Sequence, residues 1–129
     1  MCLRPPRLLA CLSWLSLATA TNLYATHYNG NVYTLSLDRS DNDTYSLTLA
    51  SSLETCGSMP SWLTFDSESR TLYCSDETGD ASVNGSLTAL TADHDGTLTD
   101  TATVVAPGGG VNSVIYTGDD GDQYLAIAH

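Results

Sequence analysis

The sequence contains no lysine, and four arginines are all that oppose fifteen aspartates and glutamates. Arg4 and Arg7 lie near the start, so past residue 20 only Arg39 and Arg70 carry positive charge. A surface this poor in cations repels a polyphosphate backbone, which excludes nucleic acid as a partner. Past the same point no stretch holds an apolar face at helical spacing. No run there approaches the roughly twenty apolar residues that cross a bilayer, so no membrane partner is expected once the leader described below is removed. No Gly-x-Ser-x-Gly elbow is present, and His27, His94 and His129 lack the local spacing of a zinc site. Gly108-Gly109-Gly110 lacks the Lys and Ser/Thr of a phosphate loop and no helix follows it. Asp76, Glu77 and Asp80 do not follow EF-hand spacing and read as a solvated acidic loop. No metal and no cofactor are expected.

What is present starts with a leader. Arg4 and Arg7 form a basic region, 8–17 is apolar apart from Ser13 and Ser16, and Ala18-Thr19-Ala20 is a small-x-small cleavage site. Residues 1–20 therefore read as a secretory signal peptide, and the protein as extracellular. Cys2 and Cys11 leave with it, and Cys56 and Cys74 remain. An oxidising compartment favours a bridge between them, which would stabilise by about 3 kcal/mol for so short a loop. Two buried free thiols are the alternative. The sequons Asn42-Asp43-Thr44 and Asn84-Gly85-Ser86 make Asn42 and Asn84 glycosylation candidates, the first in a polar segment, the second in a turn before a strand.

The remainder alternates with period two. Strands are expected at 24–28, 31–38, 45–53, 61–66, 70–75, 85–93, 97–106, 111–117 and 123–129. Asn29-Gly30 and Asp95-Gly96 mark tight turns. Pro60 has no donor for a sheet interior and breaks the pattern. The pattern also repeats. Leu23-Tyr24-Ala25-Thr26-His27, Leu72-Tyr73-Cys74-Ser75-Asp76 and Leu125-Ala126-Ile127-Ala128-His129 superpose at steps of about fifty residues. An all-strand unit of that length is a propeller blade, which cannot bury both faces alone and stacks around a ring. Blade one spans about 21–55, blade two about 61–106, and blade three begins at about 111–129. Blade one lacks an innermost strand, and the third copy stops in mid-motif. The expected fold is thus all-β: about two and a third blades of four-stranded antiparallel sheets, from a seven-bladed propeller. Further C-terminal blades are the expected main packing partner. Tyr24, Tyr33, Trp62, Phe65 and Tyr73 recur at strand positions and read as core and inter-blade packing.

Cys56-Gly57-Ser58-Met59-Pro60-Ser61-Trp62-Leu63-Thr64, then Arg70-Thr71-Leu72-Tyr73-Cys74-Ser75-Asp76-Glu77, resembles the fungal branch of the seven-bladed lactonase family. Gly85-Ser86-Leu87-Thr88 and Gly108-Gly109-Gly110-Val111-Asn112-Ser113-Val114 fit the same pattern, as does the terminal Leu125-Ala126-Ile127-Ala128-His129. That family groups 6-phosphogluconolactonase-like proteins with carboxy-cis,cis-muconate cyclase. The resemblance implies opening or closing of a lactone, with a small anionic lactone or polycarboxylic acid as substrate. It implies a His, a Glu and arginines from later blades, none of which maps onto this sequence. A non-catalytic secreted propeller, serving as a binding or structural module, is the alternative.

His27 and His129 end equivalent strands, and Asp76 holds the same place in the middle unit. An imidazole close to a carboxylate can move a proton in lactone chemistry, so these three are the candidate catalytic residues. Polar strand ends without catalytic duty are the plainer reading. Arg39 and Arg70 sit at turns and read as surface charges.

Overall fold

The computed structural model describes residues 20–79 and 82–129. The leader, apart from Ala20, lies outside them, and so does Asp80 of the acidic loop. The chain runs through β1 (Thr21–His27), β2 (Asn31–Arg39), β3 (Tyr45–Glu54), β4 (Pro60–Asp66), β5 (Thr71–Asp76), β6 (Asn84–Ala92), β7 (Leu98–Pro107), β8 (Asn112–Thr117) and β9 (Gln123–Ala128). Every pairing is antiparallel between consecutive strands. They form sheet one (β1-β2-β3), sheet two (β4-β5-β6-β7) and sheet three (β8-β9). The arrangement is all-β and open, that of a partial β-propeller. Among the described residues only the middle sheet reaches four strands.

Local chemistry places the turns where alternation stops. Gly30 takes φ 79° after Asn29, and Gly96 takes φ 90° after Asp95. Pro60 does not end the strand pattern; it is the first residue of β4, a position where a missing N–H is tolerated. A bulge follows it before Trp62.

The sheets stack in chain order, and the stacking step is the repeat. Across the first seam Tyr28 donates to Glu77, and across the second Ser61 donates to the Gly110 carbonyl at 2.8 Å and Thr64 to the Ser113 carbonyl at 2.8 Å. Each of these pairs is 49 residues apart. The fully buried core occupies the first seam: Val32 from sheet one against Leu72, Cys74, Leu90, Ala92 and Leu98 from sheet two, with Cys56 between. Burying the valine and each leucine contributes about 1.5–3 kcal/mol and sets the spacing of the sheets. Tyr24 reaches the same core and meets Phe65, ring centroids 6.1 Å apart. At the second seam a cavity of about 190 Å³ is lined by Tyr73 and Leu87 on one side and by Ile115 and Leu125 on the other.

Candidate functional site

The expected site residues stand at one end of the sheets. His27 closes β1, Asp76 closes β5 and His129 follows β9. The antiparallel register puts Asn31, Pro60 and Ser86 at that end as well.

Asp76 is buried there, 7% exposed, and its carboxylate is fully employed. Oδ1 accepts the Met59 N–H at 3.1 Å, the Thr78 N–H at 3.0 Å and the Thr78 hydroxyl at 2.5 Å. Oδ2 faces the Ser86 hydroxyl at 3.4 Å. The chain before β4 lies so close over it that a Cβ on Gly57 would stand 2.1 Å from Oδ2. Gly57 has φ 73°, so only glycine fits both the backbone and the space. Gly85 is held the same way from β6, where a Cβ would meet the Asp76 carbonyl at 2.5 Å.

The rest of this end is stapled to the same point. Cys56 and Cys74 are bridged, Cα atoms 5.9 Å apart, which settles the choice left open between a bond and two free thiols. The bridge does not join hairpin partners, since Cys74 pairs with Leu63 and Thr88; it ties the segment before β4 to the core-facing side of β5. The Thr55 N–H donates to the Gly30 carbonyl at 3.0 Å, the Glu77 N–H to the Met59 carbonyl at 2.9 Å, and Ser58 and Thr78 share a hydroxyl contact at 2.7 Å.

The structure does not join the three candidates. No hydrogen bond or ion pair links His27, Asp76 and His129 among the described residues. The His27 imidazole is exposed, and the His129 ring lies over Gly110, where a Cβ would be 3.7 Å from it. What sequence reasoning missed is the contact between Tyr28 and Glu77. Tyr28 donates its hydroxyl to the Glu77 carboxylate, and that bond, with the negative charge beside it, holds the phenol above its ordinary value of 10.0. The signal was available, because the two residues stand one repeat apart.

Neither arginine offers an open cationic site. Arg39 pairs with Asp43 on the surface. Arg70 is no plain surface charge: it donates from Nε to the Ala92 carbonyl at 2.7 Å and from Nη2 to the Asp93 carbonyl at 2.8 Å, closing the turn between β6 and β7. Among the described residues no group of three or more His, Cys, Asp or Glu side chains is arranged to hold a metal ion.

A family model described as lactonase, seven-bladed β-propeller, matches residues 22–129. The chain belongs to that family. The lactonase-family match covers all three sheets, from β1 to the residue after β9. No curated protein and no solved structure matches the chain.

Proposed function

We propose that the chain is a secreted member of the lactonase family that opens or closes a small anionic lactone, or a polycarboxylic acid of the muconate type. The family match over residues 22–129 is the observation that carries this reading. His129 is the leading acid–base group; it stands beside Gly110, where the chain turns into the first strand of sheet three. His27 holds the equivalent place on sheet one. Asp76, with its lone pairs occupied, supports the site by fixing the rim rather than by moving a proton. An anionic substrate needs a forked cation, and Arg39 and Arg70 are spent on other partners. The cation must come from sheets beyond these three.

Secretion rests on the basic region, apolar core and cleavage site of residues 1–20. It agrees with the disulfide. Asn42 sits exposed in the turn between β2 and β3, with its Oδ1 accepting the Thr44 hydroxyl at 2.7 Å. Asn84 is exposed as the first residue of β6, rather than in the turn before it. Both are proposed as glycan acceptors.

The test is hydrolysis of small anionic lactones by the secreted protein, followed by proton release. The three sheets alone are expected to be inactive, their arginines being engaged elsewhere; in a polypeptide that also carries the further sheets, activity is expected, with His129→Ala lowering it about 10²–10⁴-fold, the range for a lost acid–base group. The absence of a free cation among the described residues favours one second reading, a binding module without turnover. Lactone or carboxylate binding with no proton release would select it.

A further inference from the structure

Ser75 carries the one enclosed side-chain oxygen without a hydrogen-bond partner among the described residues. It lies in β5 and is 1% exposed. A hydroxyl shut away from water and left unpaired costs free energy, so a partner for it is worth seeking. Further sheets of a propeller do not reach it, since the three sheets present already enclose it.

The alternation of β5 says which way the hydroxyl looks. Leu72 and Cys74 face the core of the first seam, and Tyr73 faces the second, where it lines the cavity with Ile115 and Leu125. Ser75 shares the side of Tyr73, so its hydroxyl enters the second seam. In sheet three Leu125 faces back onto that seam, and Ile127 and His129 continue its row. Both converge on Gly110, where a Cβ would stand 3.3 Å from Ile127 Cγ2, 3.7 Å from His129 Cε1 and 3.8 Å from His129 Nδ1. Ser61 closes the link, for its hydroxyl lies 2.8 Å from the Gly110 carbonyl and 3.3 Å from the Ser75 carbonyl. Ser75 on one side of the seam, and Gly110 with His129 on the other, are thus tied to the same hydroxyl.

Few groups at this level have chemistry to offer. Ile127 has no polar side-chain atom, and Ser61 is committed to carbonyls. The charges at this end of β5 are engaged elsewhere, Asp76 with Met59 and Thr78 and Glu77 with Tyr28. The one charge of β4, Asp66, is at the opposite end, and β8 and β9 carry none. The His129 imidazole remains, and it is exposed, so its ring is free to turn about its own side-chain bonds.

We propose that Ser75 is a positioning residue for His129: the inner imidazole nitrogen donates its N–H to the Ser75 hydroxyl oxygen, which leaves the outer nitrogen at the rim with its lone pair. The proposal rests on the reading of His129 as the acid–base group, although the bond itself requires no turnover. In lactone opening the outer nitrogen takes a proton from the attacking water as the new C–O bond forms, and returns it to the ring oxygen as the old C–O bond breaks. The inner N–H stays on Ser75 throughout and holds the tautomer. A bond from the charged ring is the stronger one, so it favours the imidazolium and raises the value at which His129 titrates.

The experiment is an NMR titration of the histidine imidazoles in the full secreted chain, with His129→Gln assigning its signal. Ser75→Ala is expected to lower the His129 value by about half a unit to one unit, the size of one hydrogen bond, and to leave His27 and His94 in place. Ser75→Thr keeps the oxygen and should keep the higher value. Denaturant unfolding of Ser75→Ala, His129→Ala and the double variant should show a double cost short of the sum. Formation of the Cys56–Cys74 bridge checks that each variant is folded. A His129 value that Ser75→Ala leaves unchanged, an equal shift at all three histidines, or strict additivity overturns the proposal. In a polypeptide that also carries the further sheets, Ser75→Ala should move the acid limb of the pH–rate profile to lower pH by the same amount, with KM held. A shifted His129 with no turnover of any lactone would remove the lactone reading and leave the bond standing.

Discussion

Tyr28 of sheet one donates its hydroxyl to the carboxylate of Glu77 in sheet two, and the two residues occupy the same place in successive repeats. The bond keeps the phenol protonated above its ordinary value of 10.0. Its contribution is present below that value and is lost as pH rises through the higher folded one. Ultraviolet titration should resolve Tyr28 among the late-ionising tyrosines, with Tyr24 and Tyr124, and Glu77→Gln should return one of the three towards the others. Tyr28→Phe should remove one late-ionising group and leave those of Tyr24 and Tyr124.

Asp76 and Gly57 are coupled by contact. Asp76→Ala leaves the Met59 and Thr78 donors unpaired, at roughly 1–3 kcal/mol for each that stays buried. Gly57→Ala drives a Cβ into the carboxylate from a left-handed backbone and should destabilise comparably. In the double variant the clash has gone, so its cost should fall short of the sum. Denaturant unfolding of the three variants measures this directly.

The Cys56–Cys74 bridge closes a loop of sequence separation 18. Replacing both cysteines by serine should lower stability by about 3 kcal/mol. Both residues are buried, so reduction by an external thiol should be slow in buffer and accelerate in mild denaturant. Equal rates in the two conditions would contradict the burial.

Much of this was legible beforehand, and the gaps have a common cause. Alternation marked each strand from β1 to β9 to within a few residues, and Asn29-Gly30 and Asp95-Gly96 marked their turns, because both signals are local. The repeat gave the stacking of sheets. It did not say which side of a strand its neighbours cover. Phe65 packs on Tyr24 as expected though it stays 42% exposed, whereas Trp62, on the opposite face of β4, is 40% exposed. Arg70 read as a surface charge because its partners are backbone carbonyls, which leave no trace in composition. Asp76 read as a polar strand end, and its burial follows from the fold of the segment 55–59 over it, a tertiary event. At the site, the equivalence of His27, Asp76 and His129 was readable, whereas their lack of mutual contact was not; the Tyr28–Glu77 bond was missed although the repeat step of 49 signals it.

Acid should weaken the fold through its turns. Asp66 is held below its ordinary 3.8 by the Ser69 hydroxyl and the Glu68 N–H, Asp95 by the Thr97 N–H, and Asp120 by the Tyr124 hydroxyl. A carboxylate with a depressed folded value adds stability that is present above its unfolded value and is lost as pH falls through the folded one. The melting temperature should therefore drop once pH passes below about 4. Replacing the three aspartates by asparagine should flatten that drop.

The unbroken neighbour order of the strands bears on how the molecule is made. Each sheet is assembled from adjoining hairpins, so no segment must wait for a distant one before it can pair. Sheets can set one after another as the polypeptide leaves the ribosome, each offering its successor a ready surface. Each of the three sheets is thus a separable folding unit whose strands pair before its neighbours arrive.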